Sequence, residues 1–200
     1  MKNEPKIKVW EASLLIALSI TLCHAVTLSA QRSVLTENVV RLHVIAESNE
    51  ESEQALKEQV RDSVLEYIAP LVGSAESFTQ AETLISENLG GIADAAAQAS
   101  EGRAVRVEFS PMAYPIRHTG SYALPAGEYN SLRVIIGEGA GRNWWGIIFP
   151  YLVSDTVEEA NEAVKLLGDG TFALISEDGM ETQYKLRILE IFDAIRAKIG

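Results

Sequence analysis

The chain has 200 residues, 47% hydrophobic and 22% charged, with 17 basic residues against 28 acidic ones and a formal net charge of −11. That composition is globular and supplies enough apolar residues for one real core. So acidic a surface repels nucleic-acid phosphate and anionic lipid headgroups, which argues against DNA, RNA and polybasic membrane docking.

The N-terminal stretch differs from the rest. Lys2, Lys6 and Lys8 precede VWEASLLIALSITLCHAVTLSA, an apolar run broken only by Glu11, His24 and hydroxyl side chains. A basic start before an apolar stretch is the pattern of a signal peptide or signal anchor, so residues 1–30 are expected to contact a membrane. Ala12 to Ala30 is just long enough to span a bilayer as a helix. Cleavage after Ala25 or Ala30 would use a poor small-x-small site; the competing reading is a buried helix of a cytosolic protein. The lone cysteine, Cys23, lies inside this run. The remaining chain therefore has no disulfide, thiolate metal site or cysteine nucleophile.

Residues 31–38 are polar and read as a linker, and residues 39–200 read as a single exported domain. VVRLHVIA (Val39–Ala46) alternates as a strand, with Val40, Leu42 and Val44 on one face and Val39, Arg41, His43 and Ile45 on the other. Glu50, Glu51 and Glu53 suit a helix start, and Leu56, Val60, Val64, Tyr67, Ile68 and Leu71 recur at helical spacing until Pro70 kinks or ends the helix. A second helix is expected from about Ser77 to Ser86, resuming after Gly90–Gly91 toward Ala99. AVRVEF (Ala104–Phe109) and SLRVIIG (Ser131–Gly137) read as strands on either side of a turn-rich connection. WWGIIF is a strand or a buried turn. Val157–Leu167 reads as a helix, TFALIS (Thr171–Ser176) as a short strand, and Thr182–Ile199 as a helix. This order predicts an α+β fold: a small, mostly antiparallel sheet with helices packed on one face, preceded by the N-terminal signal or anchor helix.

The chemistry legible in the residues is sparse. No H-x-x-x-H or H-E-x-x-H spacing supports a metal site, and His43 reads as a half-buried or surface strand residue. There is no G-x-S-x-G nucleophile elbow; HTGSY, with His118 and Ser121, is a weak match. Acidic residues abound, and no pair stands out for acid–base work. The loop GEGAGRNWW (Gly137–Trp145) departs from phosphate-binding spacing, lacks a Walker lysine, and places Glu138 where phosphate would approach. No cofactor is implied. The loop reads either as a tight turn that folds its tryptophans onto the sheet, or as an aromatic and arginine patch of the kind that anchors protein interfaces. Because successive strand side chains alternate, one tryptophan can be core and the other displayed.

Two stretches, VVRLHVIAESNEESEQALKEQVRDSVLEYI (Val39–Ile68) and YALPAGEYNSLRVIIGEGAGRNWWGIIFPYL (Tyr122–Leu152), together with the VRVEF strand and the YPIRHTG turn, resemble the stage II sporulation protein R family. The resemblance implies an exported protein of sporulation. It would cross the forespore membrane into the intermembrane space and activate a membrane-embedded aspartic protease that processes the sigma-E precursor. It implies a ligand rather than an enzyme, and cysteines at the positions of Gly146 and Val153. This chain has neither, so the disulfide implied for relatives cannot form in it. Glu138, Arg142, Asn143, Trp144 and Trp145 are then the candidate partner-binding residues, followed by Arg41, His43 and Glu128. The alternatives are an exported cell-wall hydrolase using His118, Ser121, Glu128 or Glu138, and a structural envelope protein.

Overall fold

A computed structural model describes residues 8–119, 122–151, 163–175 and 180–199. Helix α1 spans Val9–Asn38, strand β1 Val40–Ile45, and helices α2, α3 and α4 Glu51–Gly73, Phe78–Glu87 and Leu89–Ala99. Then follow β2 (Val105–Tyr114), β3 (Arg117–Thr119), β4 (Tyr122–Leu124), β5 (Gly127–Ile136) and β6 (Asn143–Phe149). Helices α5 (Asp169–Ile175) and α6 (Met180–Ile199) complete the described chain. Residues 163–167 are also helical, and the rest of the helix expected over Val157–Leu167 lies outside the described residues.

The main sheet has the order β2-β5-β1-β6, and β3 and β4 form a separate two-stranded hairpin. β2–β5 and β1–β6 are antiparallel, whereas β1–β5 is parallel. A parallel pair cannot be closed by a tight turn; the long excursion through α2, α3, α4 and β2 supplies the crossover. The α+β fold with a mostly antiparallel sheet is as expected.

The alternation of β1 sorts the core. Val40, Leu42 and Val44 join Leu132, Val134 and Ile136 of β5 in a cluster covered by Val60, Val64 and Ile68 of α2, Ala81 and Ile85 of α3, and Ile92 and Ala96 of α4. The acidic first turn of α2, Glu51 and Glu53, opposes the positive end of the helix dipole. Pro70 does not end α2, which continues to Gly73. Ser77 caps α3, its hydroxyl accepting from the Gln80 N–H. A second cluster, built from Leu28 and Leu35 of α1, Tyr122 and Leu124 of β4, Tyr129 of β5, Ile147 of β6, Leu174 and Ile175 of α5 and Leu189 of α6, adds helices away from the α2–α4 layer.

Two local expectations are corrected. The proposed linker, residues 31–38, is the last part of α1. Its polar side chains bond back to the helix, Thr36 Oγ1 to Ser33 O at 3.0 Å and Asn38 Nδ2 to Val34 O at 2.9 Å. Leu28 and Leu35, seven residues apart, meet on one buried face. Of TFALIS, Thr171–Ile175 is helical, not a strand, and Ser176 lies outside the described residues. The Gly168 carbonyl accepts the N–H groups of Thr171 and Phe172. Thr171, Leu174 and Ile175 are buried at i, i+3 and i+4, a spacing that six residues are too few to announce.

Candidate partner-binding site

β5 and β6 flank β1, so the glycine loop between them must step over the C-terminal end of β1. It meets the chain just as that chain leaves β1. Ala140 N–H donates to Glu47 O at 3.1 Å, and Gly141 N–H to Ala46 O at 2.9 Å. Arg142 N–H donates to Asn49 Oδ1 at 2.8 Å. Gly137 and Gly139 sit at φ +56° and +66°. A Cβ on Gly141 would lie 2.2 Å from the Ser48 carbonyl oxygen, so a side chain there would drive the two loops apart. Glu138, Arg142 and Asn143 stand exposed on this crossing.

The β1–β6 register decides what each tryptophan does. Val44 lies opposite Trp144, and His43 opposite Trp145. Trp144 therefore shares the face of Val44 and is half-buried against the α2–α4 core, with the Arg61 guanidinium carbon 5.3 Å from its ring centroid. Trp145 turns to the other face and stacks on His43, centroids 3.6 Å apart and planes 16° from parallel. Tyr114 meets Trp145 edge-on at 5.1 Å, and the Arg41 guanidinium lies 3.9 Å over the Tyr114 ring. Tyr114 is hydrogen-bonded to Ser131 Oγ. Burial pushes the Tyr114 phenol above its usual range, against the opposing effects of that bond and of the Arg41 and Arg133 charges.

The eight candidate residues thus fall into three places. Glu138, Arg142, Asn143 and Trp144 share one rim at the end of β1. Arg41 and His43 are buried, at 0% and 2% exposure, in the aromatic box with Trp145; the half-buried or surface position expected of His43 is replaced by a core one because β6 covers it. Glu128 is exposed at the far end of β5, ten residues long, about 30 Å from Glu138 at ordinary strand rise. Glu128 and Glu138 therefore cannot share one catalytic pocket. His118 lies in β3, and Ser121 falls outside the described residues, as does Val153. Among the described residues no group of three or more His, Cys, Asp or Glu could hold a metal ion.

The rim also contains residues that motif reading passed over. Lys57 of α2 is 6% exposed and donates to Gln54 Oε1 at 3.0 Å. Gln54 Nε2 in turn donates to Ser48 O at 2.8 Å. Burial holds the Lys57 ammonium below the usual lysine range; exposed Glu58 opposes this, and the charges of Arg142 and Arg61 reinforce it. The signal was present in the sequence: Lys57 sits on the stripe of Leu56, Val60 and Val64, where a charge is out of place.

α1 is long and apolar enough to cross a membrane and lies near the N-terminus, as expected of a signal or anchor. Leu14, Leu15, Ile16, Leu18, Ile20 and Leu22 are all exposed along it.

A sequence profile of stage II sporulation protein R matches residues 36–159. Stage II sporulation protein R of Bacillus subtilis (strain 168) is 31% identical over 126 residues, which cover 61% of this chain and 56% of the relative. The match thus spans little more than half the length of that relative. No solved structure matches the chain. The matched segment contains β1, α2, the whole sheet and the crossing loop, and on that basis the chain belongs to the stage II sporulation protein R family.

Proposed function

We propose that this protein is a sporulation signal that activates a membrane-embedded aspartic protease, which then cleaves the sigma-E precursor. It is exported across the forespore membrane and held at that membrane by α1, with the domain in the intermembrane space. It acts as a ligand rather than as a catalyst. The observation that carries this reading is the family match over residues 36–159, which includes every part of the rim at the end of β1. The rim has the make-up of an interface: an exposed arginine and a half-buried tryptophan on a backbone held by cross-loop hydrogen bonds, so that little ordering is needed on binding. A ligand activates only by binding the active state of its receptor more tightly than the inactive one. The test is co-expression of the full chain with the receptor protease and the sigma precursor in a non-sporulating host. Precursor cleavage that depends on this chain is expected; cleavage unaffected by its omission would reject the reading.

A further inference from the structure

Beside exposed Glu138, the rim gathers three cations on a chain whose net charge is −11. Lys57 and Arg61 are one helical turn apart on α2, and Arg142 acts electrostatically on Lys57 from the crossing loop. The local acids do not neutralise all three. Asp62 takes Arg61, at 2.6 Å. Glu58 acts on Lys57 but is exposed, and among the described residues the bond Lys57 donates goes to neutral Gln54. Among the described residues the Arg142 guanidinium has no ion pair.

One short segment holds the Lys57 ammonium and the backbone that carries Arg142. Ser48 positions Gln54, which positions Lys57; Asn49 positions the backbone of Arg142. Trp144 lies on the same rim, with Arg61 over its ring. An ammonium 6% exposed and facing like charge is costly unless an anion arrives, and the Arg142 guanidinium, on a loop whose backbone is anchored to Asn49, offers a planar fork for a carboxylate.

We propose that Lys57 and Arg142, beside Trp144, form a socket that takes a carboxylate side chain from an acidic segment of a protein partner. The inference rests on the rim being the partner-binding surface and supplies the chemistry of what the rim reads. A protein segment is favoured over an anionic bilayer because the acidic domain as a whole is repelled by a charged plane, whereas a short segment brings its few charges to this patch alone.

The probe is hexaglutamate, titrated at constant ionic strength into the full chain in uncharged detergent micelles, following the indole N–H resonance of Trp144, assigned with Trp144→Phe. A saturable shift of Trp144, with Trp10 unmoved, is expected. Arg142→Gln and Lys57→Met should each weaken it about tenfold, the loss of one charge-assisted contact, with the parent melting temperature retained in Arg142→Gln and not lowered in Lys57→Met. Arg142→Lys, which keeps the charge and loses the planar fork, should recover only part of the binding; if Lys57→Met unfolds, the Arg142 pair decides alone. No saturable shift overturns the proposal. So does an equal shift with inorganic phosphate, or one produced by phosphatidylglycerol vesicles and not by the peptide. The cleavage assay separates this from the broader reading. If Arg142→Gln loses peptide binding but still activates, the socket stands and the receptor surface lies elsewhere. If rim variants lose activation while the parent never binds the peptide, the function stands and the socket does not.

Discussion

The ring of Trp144 occupies the space that a side chain on Gly146 would need: a Cβ built on Gly146 falls 2.3 Å from Cη2 of that ring. The two residues are neighbours on the same face of β6, two positions apart, so the glycine is what lets the indole lie flat along its own strand. Gly146 stands where the family pattern implies a cysteine. In this chain, Gly146→Cys should push the ring off the α2–α4 core, lowering stability by about 1–3 kcal/mol, with a red shift of tryptophan emission. Combining it with Trp144→Leu should cost less than the two changes added separately, since the clash is then gone. Chemical denaturation of the four chains checks this, and strict additivity would refute the packing described.

The adjacent tryptophans should separate structure from recognition. Trp145 is locked between His43 and Tyr114, so Trp145→Ala is expected to destabilise the domain by about 3 kcal/mol. Arg142 is exposed, and Arg142→Ala should change stability by no more than about 0.5 kcal/mol while losing activation of the protease. Thermal melts paired with precursor cleavage read both. If Arg142→Ala activates normally, the rim is not the receptor surface.

Lys57 makes a pH prediction. Its folded-state ammonium is disfavoured, chiefly by burial, so the folded protein binds fewer protons than the unfolded chain between the lowered value and the ordinary lysine value. Stability contributed by this site must therefore rise with pH through that window. Lys57→Met keeps the apolar stem and removes the charge. It should melt above the parent at pH 7, with the gap closing toward pH 10. A gap that widens on raising the pH would contradict the assignment.

The end of α1 belongs to the domain. Leu28 and Leu35 are 2% and 0% exposed, and Arg32 pairs with Asp193 of α6. Leu35→Ala should cost about 2–5 kcal/mol, whereas Leu15→Ala, at 54% exposure, should leave the domain's stability unchanged. Cleavage after Ala30 would take Leu28 out of the core. Mass spectrometry of the protein recovered after export is therefore expected to show Leu28 retained.

Local periodicity was enough to determine much of this protein. The 2-residue alternation of Val39–Ala46 assigned Val40, Leu42 and Val44 to one face, and the helical spacing of Leu56, Val60 and Val64 placed α2 over them; both follow from backbone geometry alone. The same reading stopped short where neighbours in space are distant in sequence. Residues 31–38 look like a linker until Leu35 joins the buried cluster of Tyr129, Leu174, Ile175 and Leu189, because polar composition says nothing about one buried face. The adjacent tryptophans must face opposite ways, but only the β1–β6 register puts Trp145 on His43 and Trp144 on the α2 side. The opening of the glycine loop onto Ala46–Asn49 is likewise a consequence of strand order. With β5 and β6 on either side of β1, the loop has to cross the end of β1, and that crossing brings Arg142 onto Asn49, just before α2. Strand order is set by which long-range pairings bury the most apolar surface together, a property of the whole chain that no short window of residues contains.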